Sequence, residues 1–190
     1  MNHPSIRTVA AVAGRRIDAP GAMPARFPTE AEGTVRSVLK QVLAERGVST
    51  LVASAACGAD ILALEVAAEL GIRCEIVLPF DRKRFRSTSV VDRGEEWGQR
   101  YDRVVARADA SGKVTVITEA TANDDDAYAI VTRRLISDCL ALATESMATP
   151  IAIAIWDQQP RDSGDATKDF IDRAIGAGIE VIHVSTVLGH

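Results

Sequence analysis

Short runs of apolar residues recur along the chain at a steady spacing, and amphipathic stretches fill the intervals between them. The first run, "TVAAVAG" (Thr8–Gly14), is built of small and β-branched residues and ends at glycine. "STLVASA", "RCEIVLPF", "KVTVIT", "PIAIAIWD" and "IEVIHVS" follow in order. Strands that stay apolar at consecutive positions are covered on both faces, as happens in parallel sheets. Pro79 stops the third run, because a residue without an N–H cannot continue a central ladder.

The intervals carry a helical period. In "TEAEGTVRSVLKQVLAERG", residues Val35, Val38, Leu39, Val42 and Leu43 recur three and four apart. Thr29 and Glu32 have the spacing of a capping box, and Gly47 supplies the stop. Ile61, Leu62, Leu64, Val66 and Leu70 make a second helix with a broad apolar face, closed by Gly71. Residues 82–110 read as one loop and one helix around "EEWGQRYDRVVARAD"; "DRKRFR" (Asp81–Arg86) reads as a solvated loop or helix start. Three aspartates at the head of "DDDAYAIVTRRLISDCLALATES" suit the positive end of a helix dipole. "DATKDFIDRAIGAG" forms the last helix. This alternation predicts a single α/β domain over residues 1–190. The expected fold is a Rossmann-like, doubly wound, mainly parallel sheet of about six strands with helices on both faces.

Composition narrows the partners. A chain of 190 residues, 47% hydrophobic and 25% charged, is ordinary for a globular protein. Aromatic residues make up 4% and the net charge is −4, which argues against stacking on single strands or gripping a phosphate backbone. Nucleic acid is therefore not an expected partner. Cys57, Cys74 and Cys139 are too few and scattered for a disulfide framework or a metal motif, and His3, His183 and His190 have no sequence partners. No metal or cofactor is implied. No stretch has the length of a bilayer span, so a cytoplasmic location without membrane contact is expected.

In an open parallel sheet, ligands bind beyond the carboxyl ends of the strands. The relevant turns follow Ala13, Ala53, Leu78, Thr118 and Trp156. After the second strand, "SAACGAD" offers Ser54, Ala55, Cys57, Gly58 and Asp60 at the head of a helix. Small residues there either expose main-chain N–H groups to an anion or let the helix pack tightly on the sheet. Asp60 would repel a phosphate and better suits a ribose hydroxyl. After the first strand, Gly14, Arg15 and Arg16 could grip a phosphate through guanidinium groups, or be surface residues of a Pro-containing loop. After the fifth strand, Asp157, Gly164 and Thr167 lie in "WDQQPRDSGDATKDF", where Asp165 or Thr167 could equally be a plain helix cap. A divalent cation could join these acids to a phosphate, although nothing requires one.

Taken together, these turns resemble the SLOG superfamily, named for the DNA-processing and LOG-type proteins. The resemblance rests on "SAACGADILALEVAAELGIRCEIVLPF", on "GRRIDAPG…RFP" and on "WDQQPRDSGDATKDF…AIGAGIEVIHV", and it spans nearly the whole chain. It implies a Rossmann-like pocket for nucleotides or ADP-ribose-like molecules, with Gly14 and Arg16, then Ser54, Gly58 and Asp60, then Gly164 and Thr167 at successive turns. Members of the superfamily sense signalling nucleotides, bind DNA, or cleave the N-glycosidic bond of nucleoside monophosphates. Asp165 and Ala166 stand where two glycines are expected before Thr167, and the catalytic PGGxGTxxE motif of the LOG-type enzymes is absent. Asp169 falls near that motif's acid; Asp169 or Glu65 would serve a hydrolase. The sequence thus leaves open a nucleotide-binding or sensing module signalling through a partner or a second copy of itself, an N-glycosidic hydrolase, and a degenerate interaction domain.

Overall fold

The computed structural model describes residues 7–117 and 123–187; His3, His190 and the turn expected after Thr118 lie outside them. The strands are β1 (Thr8–Gly14), β2 (Val48–Ala53), β3 (Arg73–Leu78), β4 (Lys113–Val116), β5 (Thr149–Trp156) and β6 (Glu180–Ser185). They form one six-stranded sheet in the order β4-β3-β2-β1-β5-β6, and every neighbouring pair is parallel. The order reverses between β1 and β5, which run in register from Thr8 opposite Thr149 to Gly14 opposite Ile155.

The helices are α1 (Glu32–Glu45), α2 (Ala59–Glu69), α3 (Arg82–Ser89), α4 (Glu95–Ser111), α5 (Asp124–Ser146) and α6 (Ala166–Gly176). Side chains alternate across a strand, so each strand feeds two cores. Ala10, Val12, Leu51, Ile76 and Ile153 join α1, α2 and α4 in one core. Val9, Ala11, Val52, Val77, Ala152 and Ala154 join α5 and α6 in the other. This is the doubly wound, Rossmann-like arrangement expected from the apolar runs. Helix α2 lies deepest, with Ala59 through Leu64, Val66 and Ala67 all buried, so it is apolar around most of its girth.

Two local expectations are corrected. The Thr29–Glu32 capping box does not form: Thr29–Ala31 is a 3-10 turn, α1 begins at Glu32, and its cap makes no side-chain hydrogen bond. The Glu32 carboxylate instead meets Arg100 at 2.8 Å, an ion pair that outcompetes a local cap. Residues 82–110 hold two helices, not one. Asp81 caps α3 by accepting from the Lys83 and Arg84 N–H groups, and only Phe85 and Ser89 of that helix are buried. A charged eight-residue helix with so narrow an apolar face leaves little periodic signal.

Candidate functional site

The period of two along β1 separates its two arginines. Arg15 continues the series Val9, Ala11 toward α5 and α6, whereas Arg16 continues Ala10, Val12 toward α2. Arg15 is buried, and its guanidinium makes four hydrogen bonds to protein. Its Nε donates to Asp157 Oδ1 at 2.8 Å, and Nη1 and Nη2 donate to the two oxygens of Asp165 at 2.7 and 3.0 Å. Nη2 also donates to the Gln159 carbonyl at 2.6 Å. Arg26, from the long connection after β1, donates to Asp157 Oδ2 at 2.8 Å and to the same Gln159 carbonyl at 2.7 Å. The Arg15 guanidinium lies 5.5 Å from the Trp156 ring, whose Nε1 donates to His183 Nδ1 at 2.9 Å.

Asp165 completes this cluster and also caps α6. Its carboxylate accepts from the main-chain N–H groups of Arg161, Thr167 and Lys168 at 2.8, 3.1 and 3.1 Å. Burial pushes its pKa up, but the Arg15 hydrogen bonds and those of the Arg161 and Lys168 N–H groups outweigh burial and hold it at about 2. A carboxylate of the chain itself thus occupies the N-terminus of α6, where an anion would otherwise be favoured.

Three amides of "SAACGAD" are also engaged within the chain. Cys57 N–H donates to Ser89 O at 3.1 Å, Ala59 N–H to Arg15 O at 3.0 Å, and Ala56 N–H to Asp60 Oδ2 at 3.2 Å. Arg16 and Gly58 form an isolated antiparallel bridge, and Ile17 N–H donates to Cys57 O at 3.2 Å. Gly58 has a φ of 101°, and a Cβ there would collide with the Ile17 nitrogen and lie 2.8 Å from Arg15 O. Gly58 therefore serves a close approach between this turn and the backbone after β1, and Ala55, Cys57 and Ala59 are buried beside it.

What faces open space is the remainder. A cavity of about 280 Å³ lies at the carboxyl edge of the sheet, next to the reversal in strand order. Ala13, Gly14 and Arg16 line it from the β1 turn, and Ser54, Ala56 and Asp60 from the β2–α2 turn. Arg161, Ala166 and Thr167 line it from the β5–α6 turn. Phe85, Val131 and Leu135 supply apolar wall; Ser89 and Tyr128 are joined by a 2.7 Å hydrogen bond between their hydroxyls. A second hollow of about 270 Å³ shares Tyr128, Thr132 and Ala166 with the first and reaches Gly164 and Asp169.

The polar lining is graded. Arg161 is exposed, and its guanidinium has no ion pair among the described residues. Arg16 is half-buried, paired with Asp92, and donates to Cys57 Sγ at 3.3 and 3.4 Å. Burial raises the Cys57 thiol pKa against the pull of Arg16. Asp60 is buried. Burial pushes its carboxyl up to about 7, with partial relief from the Ala56 N–H and from Arg16.

Of the residues singled out by sequence, Gly14, Arg16, Ser54, Asp60 and Thr167 meet at the cavity. Gly164 and Asp169 line the adjoining hollow, where Asp169 accepts from Arg173 Nε at 2.8 Å. Arg15 and Asp157 form the buried cluster, and Ala55, Cys57 and Gly58 are packed beneath the turn. Glu65 lies outside both hollows, on the opposite side of α2. It accepts from Arg36 and Arg100, and Arg100 stacks 4.1 Å above the Trp97 ring. Sequence reasoning did not bring Phe85, Ser89, Val131, Thr132, Leu135 or Arg161 to the site. Among the described residues no group of three or more His, Cys, Asp and Glu could hold a metal, and no helix is long and apolar enough to cross a membrane.

No family profile and no curated protein matches the chain. Solved structures do. DNA processing protein A from Streptococcus pneumoniae is 16% identical with a TM-score of 0.42 over 92% of this chain and 58% of that one. The Helicobacter pylori protein of the same name, described by its single-stranded DNA binding mode, is 14% identical with a TM-score of 0.46 over 93% and 76%. SuiB of Streptococcus suis, bound to S-adenosylmethionine, is 12% identical with a TM-score of 0.31 over 95% and 40%. The chain thus spans under two thirds of the length of the pneumococcal protein. The fold of the chain is Rossmannoid on its own strand order. One expectation is corrected here. Nucleic acid was set aside on net charge and aromatic content, yet a protein described as binding single-stranded DNA is among the matches. Net charge sums the whole surface and says nothing of a local patch, so it does not exclude that partner class.

Proposed function

We propose that the cavity at the carboxyl edge of the sheet binds a nucleotide-derived ligand of mononucleotide size. The observation that supports this most is the graded lining: exposed Arg161, half-buried Arg16, buried Asp60, and apolar wall from Phe85, Val131 and Leu135. Cations at the open end suit a phosphate, and the apolar wall suits a base. A volume of about 280 Å³ lies at the lower limit of small-molecule sites, roughly 300 Å³, and favours one nucleoside unit over a dinucleotide. Side chains would hold the phosphate, because the α6 N-terminus is capped by Asp165 and the Ala56, Cys57 and Ala59 amides of the turn are engaged.

Calorimetric titration with nucleoside 5′-monophosphates tests the reading. At least one should bind saturably at one site per chain, and Arg161→Ala should weaken it. No binding across the set would reject it. A turnover reading draws support from Asp169 alone, which lines the adjoining hollow. Release of free base, lost in Asp169→Ala, would favour it; a bound and unchanged nucleotide would exclude it.

A further inference from the structure

We infer that Asp60 accepts hydrogen bonds from the sugar hydroxyls of the ligand and makes the cavity selective for ribonucleotides. This rests on the nucleotide reading above. Asp60 is 8% exposed, in the first turn of α2, and it lines the cavity. Its Oδ2 takes the Ala56 N–H, while Oδ1 has no hydrogen-bond partner among the described residues. No polar side-chain atom among them is sealed from open space without a partner, so Oδ1 looks onto the hollow.

The side chains around it do not supply what it lacks. Arg16, Arg161 and Tyr128 are the other titratable groups lining the cavity. Arg16 is directed to Asp92 and Cys57, and the Tyr128 hydroxyl is joined to Ser89. Asp60 Oδ1, which no donor among the described residues reaches, is open to a ligand that donates. A phosphate dianion cannot donate and carries the wrong charge. Ribose hydroxyls donate, and their neighbouring pair can reach the same carboxylate.

The test compares the four ribonucleoside 5′-monophosphates with their 2′,3′-dideoxy counterparts by calorimetry on the wild type, Asp60→Ala and Asp60→Asn. In the wild type, loss of both hydroxyls should weaken binding at least about tenfold, the size of one hydrogen bond to a charged group. In Asp60→Ala the two series should bind alike. Affinity of the wild type should also rise from pH 6 to pH 8, roughly through the range where the carboxyl ionises, and rise less in Asp60→Asn, where only the phosphate of the ligand ionises, with a second pKa of about 6. Equal binding of both series to the wild type would overturn the inference while leaving the nucleotide reading intact. So would discrimination that persists in Asp60→Ala. Silence of the ribonucleotides themselves would overturn both.

Discussion

Asp60 and Asp165 sit at the heads of two helices on the same sheet edge, yet their surroundings drive them to opposite states. Asp165 meets a buried guanidinium and three main-chain N–H groups, and its carboxyl is held at about 2. Asp60 has one N–H and an open cavity, and its carboxyl rises to about 7. A helix N-terminus alone therefore does not decide the charge of an acid beside it; burial, set against the donors that reach the carboxylate, does. The closed turn contributes to stability, and the open turn lines the cavity.

The largest effect should come from the closed turn. Asp165→Ala leaves Arg15 buried with one fewer partner and should cost about 3–5 kcal/mol in urea unfolding at neutral pH. Asp60→Ala should cost under about 1 kcal/mol or stabilise the protein, because it removes a carboxylate that burial disfavours. Equal losses would break the comparison. Next come the two glycines. Gly58→Ala should cost about 2–3 kcal/mol, as a left-handed backbone and a collision combine. Gly164→Ala, at a φ of 61° but with nothing within 4 Å, should cost about 1 kcal/mol.

The pH dependence of stability has opposite signs at the two acids. The folded chain holds a proton on Asp60 between its ordinary 3.8 and about 7, so ionisation works against the fold as pH rises through that window. Asp60→Asn should gain on the wild type from pH 3.8 to about 7 and then level off. Asp165 contributes fully above its ordinary 3.8, and the contribution is lost as pH falls toward about 2. The gap between wild type and Asp165→Asn should close over that interval, read from urea midpoints in a buffer series. The smallest effect on stability belongs to Arg161→Ala, within about 0.5 kcal/mol, since its guanidinium is exposed and unpaired among the described residues. Its nucleotide affinity should nevertheless fall; if affinity holds, the phosphate end lies elsewhere.

The fold was legible because the central strands β1 and β5 are apolar at successive positions over Val9–Val12 and Ile151–Ile155, the pattern of a sheet covered on both faces. Part of the site was legible for a related reason: Gly14 and Ser54 lie at strand ends, and Asp60 and Thr167 at the heads of the helices that follow. Val131, Thr132 and Leu135 were not, because they reach the cavity from the third and fourth turns of α5, and only the crossing of that helix over the sheet brings them there. The division between Arg15 and Arg16 was available in principle. Extending the alternation Val9, Ala11 two places past Ala13 assigns Arg15 to the α6 side and frees Arg16 for the other.

The placement of the two tryptophans carries an optical consequence. Trp97 lies in the core with α1, α2 and α4, beneath Arg100, whereas Trp156 lies in the core with α5 and α6, beside Arg15 and His183. The chain therefore contains two intrinsic fluorophores separated by the sheet, each against a different cation. In Trp97→Phe the remaining emission follows the Arg15 cluster and the packing of α6. In Trp156→Phe it follows α4 and the Arg100 contact. Loosening of the two helical layers can thus be watched one at a time, without a label, in a single unfolding experiment on each variant.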